Sequence, residues 1–388
     1  MKIVVTGAGS GGHITPVLAV AHELKRQRPD ATIIYIGQKG DSLADIPAQD
    51  KNIDEVRLVR AGKLRRYHGE GFKQLLDLPT MAKNIRDAFY VLAGIWQSFW
   101  LLRDLRPAVI FVKGGFVGVP VGLAAAALKI PYVTHDSDAL PGLANRIIAR
   151  WAKKHAVALP KEIYSYPPDK TVTVGVPLAH HYHPLTAREM QAAREQIGVN
   201  AKGKMLLVTG GGLGAYRLNQ AVASCAKELL GRYPDLTIVH LAGRMHEAAL
   251  RQHYKTLLSS AEEKHVLIKG FVTNLHAYSG AADVVLTRAG ATSMAEFAAQ
   301  QKACIVVPNP ILTGGHQLKN AKVLSDRHAI KLVTEENLKA DDHAIMPALV
   351  DFFDHPDRAR ELGRRLGQLA EPDSAKRLAM VLLEVAAP

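Results

Sequence analysis

The chain has 388 residues, 48% of them hydrophobic and 22% charged, which is enough for two or three domains with full cores and excludes a disordered, collagenous or coiled-coil protein. Two cysteines, Cys225 and Cys304, stand far apart with no CxxC, so no disulfide framework or cysteine metal site is implied and a reducing compartment fits. The net charge of +13 draws phosphate-bearing partners, whether nucleic acid, nucleotide-sugar or anionic lipid, without choosing among them.

In chain order, Ile3–Thr6 predicts a strand that runs into Gly7-Ala8-Gly9-Ser10-Gly11-Gly12-His13. This N-terminus lacks the basic region, apolar core and cleavage site of a signal peptide. Gly7, Gly9 and Gly12 satisfy GxGxxG, the dinucleotide fingerprint, but the next strand ends Tyr35-Ile36-Gly37-Gln38-Lys39 with no acid to hold a ribose. The loop instead offers backbone N–H groups and a helix start to an anion, with Thr15 as N-cap, Pro16 at the first helical position and a helix over Val17–Arg26. His13, with an ordinary pKa near 6.5, is placed for general base work, the alternative being a histidine that only packs the turn.

A strand at Thr32–Ile36 follows. Phe89–Leu102 is an aromatic and apolar stretch too short to span a bilayer, hence a buried or an interfacial helix. Strands at Val109–Val112 and Pro131–Thr134 lead into Lys113–Pro120 and His135–Asn145, again at strand ends where ligands bind in open α/β sheets. Asp136 and Asp138 form a DxD, two carboxylates where a metal site normally recruits more ligands. The weakest structure, Ser165–His183, carries three prolines and places an interdomain linker near Val176–Thr186.

The pattern then restarts. Met205–Thr209 precedes Gly210-Gly211-Gly212-Leu213-Gly214 and a helix over Ala215–Leu230. Strands follow at Thr237–Leu241, Val266–Ile268, Val284–Thr287 and Ala303–Val307, with helices at Ala291–Gln300, His316–Asp326 and Ala375–Val385. Glu296, early in its helix, is either dipole complementation or a bidentate acceptor for ribose hydroxyls. Polar helix starts at Gly290, His316-Gln317 and Asn320 on one sheet edge suggest a nucleotide site. Strand-helix alternation with two starts predicts an α/β protein of two doubly wound, Rossmann-like domains.

Taken together, these segments resemble the MurG family. The family's GGTGGHxxPxLAxAxEL stands here as Gly7 to Leu24, its GGYVSxP as Gly114 to Pro120, and its HEQNxxPGLANR as His135 to Arg146. Its GGSQGAxxLN stands as Gly210 to Asn219, its RxGAxTxxE as Arg288 to Glu296, and its HQxxNA as His316 to Ala321. The resemblance implies GT-B architecture, with two domains facing a cleft. Residues 1–178 would be the acceptor and membrane-binding domain, 179–372 the UDP-sugar domain, and 373–388 a helix packing back on the first. The activity implied is inverting, metal-independent and cofactor-free transfer of N-acetylglucosamine from UDP-N-acetylglucosamine to the C4 hydroxyl of undecaprenyl-diphosphate-linked muramyl-pentapeptide. A transferase for another lipid, or a UDP-N-acetylglucosamine 2-epimerase of the same fold, is the rival.

By the same resemblance His13 is the catalytic residue. Ser10, Gly11, Gly12, Asp138, Gly212, Gly214, Val272, Ala291, Thr292, Ser293, Met294, Ala295, Glu296, His316 and Gln317 would bind the donor. Gly9, Thr15, Gly114, Gly115, Phe116, His135 and Asn145 would bind the acceptor. Three positions depart from the pattern: Asp138 for asparagine, Gly212 for serine, and Ala179 where arginine is common, leaving Arg288 or His180 to replace that charge. The implied partners are the two substrates and anionic membrane lipids, with no nucleic acid, at the cytoplasmic face of the cell membrane as a peripheral protein. Arg57, Arg60, Lys63, Arg65, Arg66, Lys73, Lys83 and Arg86 around Leu75, Leu76 and Met81 would make that contact, while burial is expected for Trp96–Leu102.

Overall fold

The computed structural model describes residues 1–387 apart from Ser10, Ser42, 64–77, Leu213 and 312–314. The chain divides into two units, one of Met1–His180, Ile311–His316 and the segment from Glu371 onward, the other of His181–Pro310 with Gln317–Ala370.

The first unit holds a seven-stranded sheet made of β1 (Lys2–Thr6), β2 (Thr32–Gln38), β3 (Glu55–Val59), β4 (Val109–Val112), β5 (Tyr132–Asp136), β6 (Lys154–Val157) and β7 (Thr171–Thr173), in the order β3-β2-β1-β4-β5-β6-β7. Every pairing is parallel. The central strands are apolar on both faces because helices cover both. Ile3 and Val5 point into a cluster with Val17, Val20 and Leu24, whereas Val4 points into one with Leu102, Ile110 and Val121. The helix Ser374–Ala386 joins the first of these clusters through Leu378, Ala379 and Leu382.

The second unit holds β8 (Met205–Thr209), β9 (Thr237–Leu241), β10 (Val266–Lys269), β11 (Val284–Thr287), β12 (Ala303–Val306) and β13 (Lys331–Leu332), in the order β10-β9-β8-β11-β12-β13 and again all parallel. Each sheet therefore reverses its strand order once, at β1/β4 and at β8/β11. Crevices open at such switch points, beyond the carboxyl ends of the strands.

Two local expectations are corrected. The first helix runs over Gly11–Gln27, so Thr15 is no N-cap and Pro16 lies inside the helix. Thr15 Oγ1 instead donates to the Gly11 carbonyl at 3.1 Å. In the helix Leu78–Leu105, Trp96 is 67% exposed and Trp100 49%, against the burial expected there, while Leu102 is fully buried.

Candidate active site

In the first unit, register brings three loops together. Thr6 pairs with Val112 and Val112 with Thr134, so the segments after β1, β4 and β5 leave the sheet side by side. Their packing requires glycine. Gly114 and Gly115 sit at φ +107° and +78°, and a Cβ on Gly115 would lie 2.6 Å from the Ala8 carbonyl oxygen. A Cβ on Gly9, at φ +88°, would meet the Phe116 ring at 3.1 Å. The Gly9 N–H donates to Asp41 Oδ2 at 2.8 Å, and the Lys63 ammonium lies 5.5 Å over the Phe116 ring.

His13 stands in the first helical turn, half-buried. Burial, and then the nearby Lys113 ammonium, lower its pKa to about 3, so the ring is neutral at physiological pH. Behind it the first unit is polar and closed. His135 is fully buried and donates from Nε2 to the Gly175 carbonyl at 2.8 Å, which leaves its Nδ1 without a partner. Asn145 donates to the His135 carbonyl at 2.9 Å and to Asp136 Oδ1 at 3.0 Å, with its own Oδ1 unpartnered. Asp136 also accepts from Gly142 N–H at 2.9 Å and Tyr166 OH at 2.8 Å, so both carboxylate oxygens are engaged within the protein. His135 and Asn145 thus shape the loops from beneath. Ser10 lies outside the described residues. Gly11 and Gly12 open the helix, and Asp138 is half-buried after β5.

In the second unit, the turn after β8 places Gly211 and Gly214 at φ +81° and +77°, and a Cβ on Gly214 would lie 2.1 Å from the Ala242 carbonyl oxygen. Gly212 is exposed; a Cβ there meets nothing nearer than the Phe271 ring at 3.8 Å, so a serine has room. The helix Tyr216–Arg232 begins at Ala215 without a side-chain cap, and Asn219 fastens it by donating to the Ala242 carbonyl at 2.9 Å. The helix Ala291–Ala299 begins at Gly290, again without a side-chain cap, and carries Thr292, Ser293, Met294 and Ala295 in its opening turns. Uncapped N-termini present amide dipoles to an anion. Val272 stands past β10 and packs against the core. The helix His316–Asp326 opens on His316, which falls with the first unit, and continues in the second from Gln317, whose Oε1 accepts from Asn309 N–H at 2.9 Å, while Asn320 donates to the Ala289 carbonyl at 3.1 Å.

Glu296 is 5% exposed. Burial raises its pKa to about 7, opposed by a hydrogen bond from the Tyr182 phenol. Tyr182 is a residue that sequence reasoning passed over, since nothing in the segment joining the units marked it. Lys113 is the other: it closes the apolar run Val109–Val112 and is buried where β4 ends. Arg288, one of the two residues expected to stand in for the charge missing at Ala179, is engaged within the protein. Its guanidinium is buried against Glu335 and the Val307 carbonyl, and Arg217 pairs with the same carboxylate at 3.1 Å. His180 stacks on His22 with centroids 5.4 Å apart. Among the described residues no group of three or more His, Cys, Asp or Glu side chains is arranged to hold a metal.

Comparison with known proteins sorts these features. The glycosyltransferase family 28 N-terminal domain matches residues 3–157 and the family 28 C-terminal domain matches residues 205–378. A protein of Listeria monocytogenes serotype 4b named UDP-N-acetylglucosamine–N-acetylmuramyl-(pentapeptide) pyrophosphoryl-undecaprenol N-acetylglucosamine transferase is 30% identical over 388 residues, covering 99% of each chain. The crystal structure of Acinetobacter baumannii MurG superposes with a TM-score of 0.70 at 23% identity over 99% of both chains. That of UDP-GlcNAc 2-epimerase from Neisseria meningitidis, bound to UDP-GlcNAc, gives 0.67 at 14% identity over 99% of this chain and 100% of that one. At these identities the two structures speak for the fold, which the transferase and the epimerase share.

Proposed function

The chain belongs to glycosyltransferase family 28 and within it to the MurG family, and from that membership we infer that it moves N-acetylglucosamine from UDP-N-acetylglucosamine to lipid-diphosphate-linked muramyl-pentapeptide, a step of peptidoglycan synthesis. The carrying observation is the end-to-end match to a transferase of that name, with both family 28 domains in order. In an inverting displacement the acceptor's C4 oxygen attacks the anomeric carbon as the bond to UDP breaks, and a base takes the hydroxyl proton. His13, held neutral, has the protonation state a base needs. The N-termini at Ala215 and Gly290 are suited to the negative charge growing on the leaving diphosphate. Glu296 is the acceptor for the ribose hydroxyls.

Membrane contact fits the helix Leu78–Leu105. Ile85, Phe89, Leu92, Trp96 and Trp100 recur every three or four residues and are all exposed, forming one apolar stripe. Arg60, Lys63, Lys83, Arg86 and Arg103 are exposed around it, with Arg103 5.1 Å over the Trp100 ring. Aromatic side chains beside basic ones suit an interface with anionic headgroups. No helix of the described residues is long and apolar enough to cross a membrane. The other basic side chains expected here, Arg65, Arg66 and Lys73, and the apolar Leu75 and Leu76, lie outside the described residues.

Incubation with radiolabelled UDP-N-acetylglucosamine, with and without the lipid-linked acceptor, tests the reaction. Label is expected in the lipid product only when acceptor is present. A free sugar epimer formed without lipid would establish the epimerase instead.

A further inference from the structure

Two lysines are buried among the described residues, and they differ in one respect. Lys302 donates from Nζ to the carbonyls of Gly280 and Ala282 at 2.7 and 3.0 Å. Lys113, 4% exposed, makes no hydrogen bond or ion pair through its ammonium with any of the described residues. Burial lowers its pKa, opposed by the charges of Asp136 and Asp138, and it in turn acts on His13 and His135. Yet Asp136 is held by Gly142, Asn145 and Tyr166, not by Lys113. A buried ammonium with three unsatisfied donors is costly unless something completes it. Near it His135 Nδ1 and Asn145 Oδ1 are also buried without partners. Such a concentration of unmet polar groups marks a place that a group from outside the polypeptide fills. The residue after Lys113 is Gly114, at φ +107°, whose Cα faces Asn145: a Cβ there would lie 3.4 Å from Asn145 Oδ1.

We propose that Lys113 is a substrate-binding residue whose ammonium takes a phosphoryl oxygen of the acceptor's diphosphate at the loops after β1, β4 and β5. Lys113 belongs to the first unit, whereas the uncapped helix starts suited to the donor's diphosphate belong to the second. The proposal rests on the transferase reading for the identity of the acceptor, but not for the anion site itself.

The probe is inorganic pyrophosphate, titrated calorimetrically with saturating UDP present so that the donor loops are occupied. Wild type is expected to bind it, and Lys113→Met to bind it about 10–100-fold more weakly, the loss of one charge-assisted hydrogen bond. The acceptor KM should rise by a similar factor in Lys113→Met, with UDP affinity and melting temperature unchanged or the latter raised, since methionine suits a buried site. Lys113→Arg, which keeps the charge, should stay within a few-fold of wild type. Wild type that binds no pyrophosphate, or Lys113→Met that binds it equally well, overturns the proposal. So does a loss of UDP affinity with acceptor KM unchanged, which would assign Lys113 to the donor, or an equal loss in Lys113→Arg, which would mark a packing role. Wild type that binds pyrophosphate through Lys113 but transfers no sugar would sink the transferase reading and leave the anion site standing.

Discussion

Glu296 is buried at a cost to the folded protein. Its pKa of about 7, against an ordinary value near 4.5, means that the folded protein holds a proton the unfolded chain releases across that interval. Stability therefore falls as pH rises from about 4.5 through 7, and at pH 8 the buried carboxylate costs on the order of 3 kcal/mol. Glu296→Gln should recover about 1–3 kcal/mol of stability at pH 8, while weakening UDP binding by about 1–3 kcal/mol. Melting curves and calorimetry on one variant check both. In wild type, UDP affinity should weaken as pH falls from 8 to 6, where the carboxylate gains its proton. Removing the phenol in Tyr182→Phe should raise the carboxyl pKa and move that midpoint upward, which a residue that merely packs would not do. His13 makes the opposite prediction about pH. Because its ring is neutral down to about 3, kcat/KM for the acceptor should show no acid limb near 6.5 from His13 when measured at saturating donor. His13→Ala should lower kcat about 10²–10⁴-fold and leave UDP affinity intact; near-normal transfer would remove it from catalysis. The glycine turns and His13 were legible because strand-turn-helix chemistry is local. Tyr182 and Lys113 were not, because a hydrogen bond from Tyr182 to Glu296 and the burial of one ammonium are tertiary facts.

The helix Leu78–Leu105 shows how a face chooses its solvent. Asp87 and Ser98 are buried on it while Phe89 is 67% exposed, the inverse of what a water-facing helix does with its residues. Trp96 and Trp100 meet edge to face at 6.4 Å and form the centre of the stripe. Because these rings are exposed, replacing Phe89, Trp96 and Trp100 with serine should change stability by less than about 0.5 kcal/mol per site. The same variant should lose most of its binding to vesicles containing anionic lipid, measured by sedimentation. Retained binding would refute the membrane face. Periodicity alone read this stretch as helical but assigned Trp96 and Trp100 to the core, since an apolar stripe looks the same whether protein or lipid covers it. The buried parallel strands announced themselves as apolar runs, and all nine expected ones are present. The four missed strands are short or marginal. β13 has two residues, β7 has three, β3 mixes Glu55 and Arg57 into its run, and β6 begins Lys154-His155. His155 is apolar in effect only because Thr134 binds its Nδ1 at 2.9 Å and Tyr166 stacks on its ring at 4.0 Å.

At the scale of the whole chain, the first unit depends on residues made last. Apart from Ile311–His316, the chain leaves it after His180 and returns at Glu371. The returning segment is fitted closely: Gly175, at φ +83°, has no room for a side chain beside Glu371, and Ser374 Oγ donates to the Val176 carbonyl at 2.6 Å. The helix Ser374–Ala386 then buries Leu378, Ala379 and Leu382 in the cluster that contains Ile3, Val5 and Val17 on one face of the first sheet. That face of the central strands is as apolar as the other, so without the helix it would meet water. Each deeply buried leucine cut to alanine costs about 2–5 kcal/mol through lost burial and the cavity left behind. Since a domain of this size has only about 5–15 kcal/mol in hand, the double variant Leu378→Ala, Leu382→Ala should bring the first unit close to unfolding. The second unit contributes no residue to that cluster and should be spared. The expected outcome is a split thermal transition, the early phase belonging to the first unit, with UDP still bound at near wild-type affinity by the second and transfer lost. Hydrogen exchange would locate the early phase by deprotecting β1, β4 and β5 ahead of β8 and β11. A single unsplit transition with full transfer activity would show that the first sheet stands without its C-terminal helix.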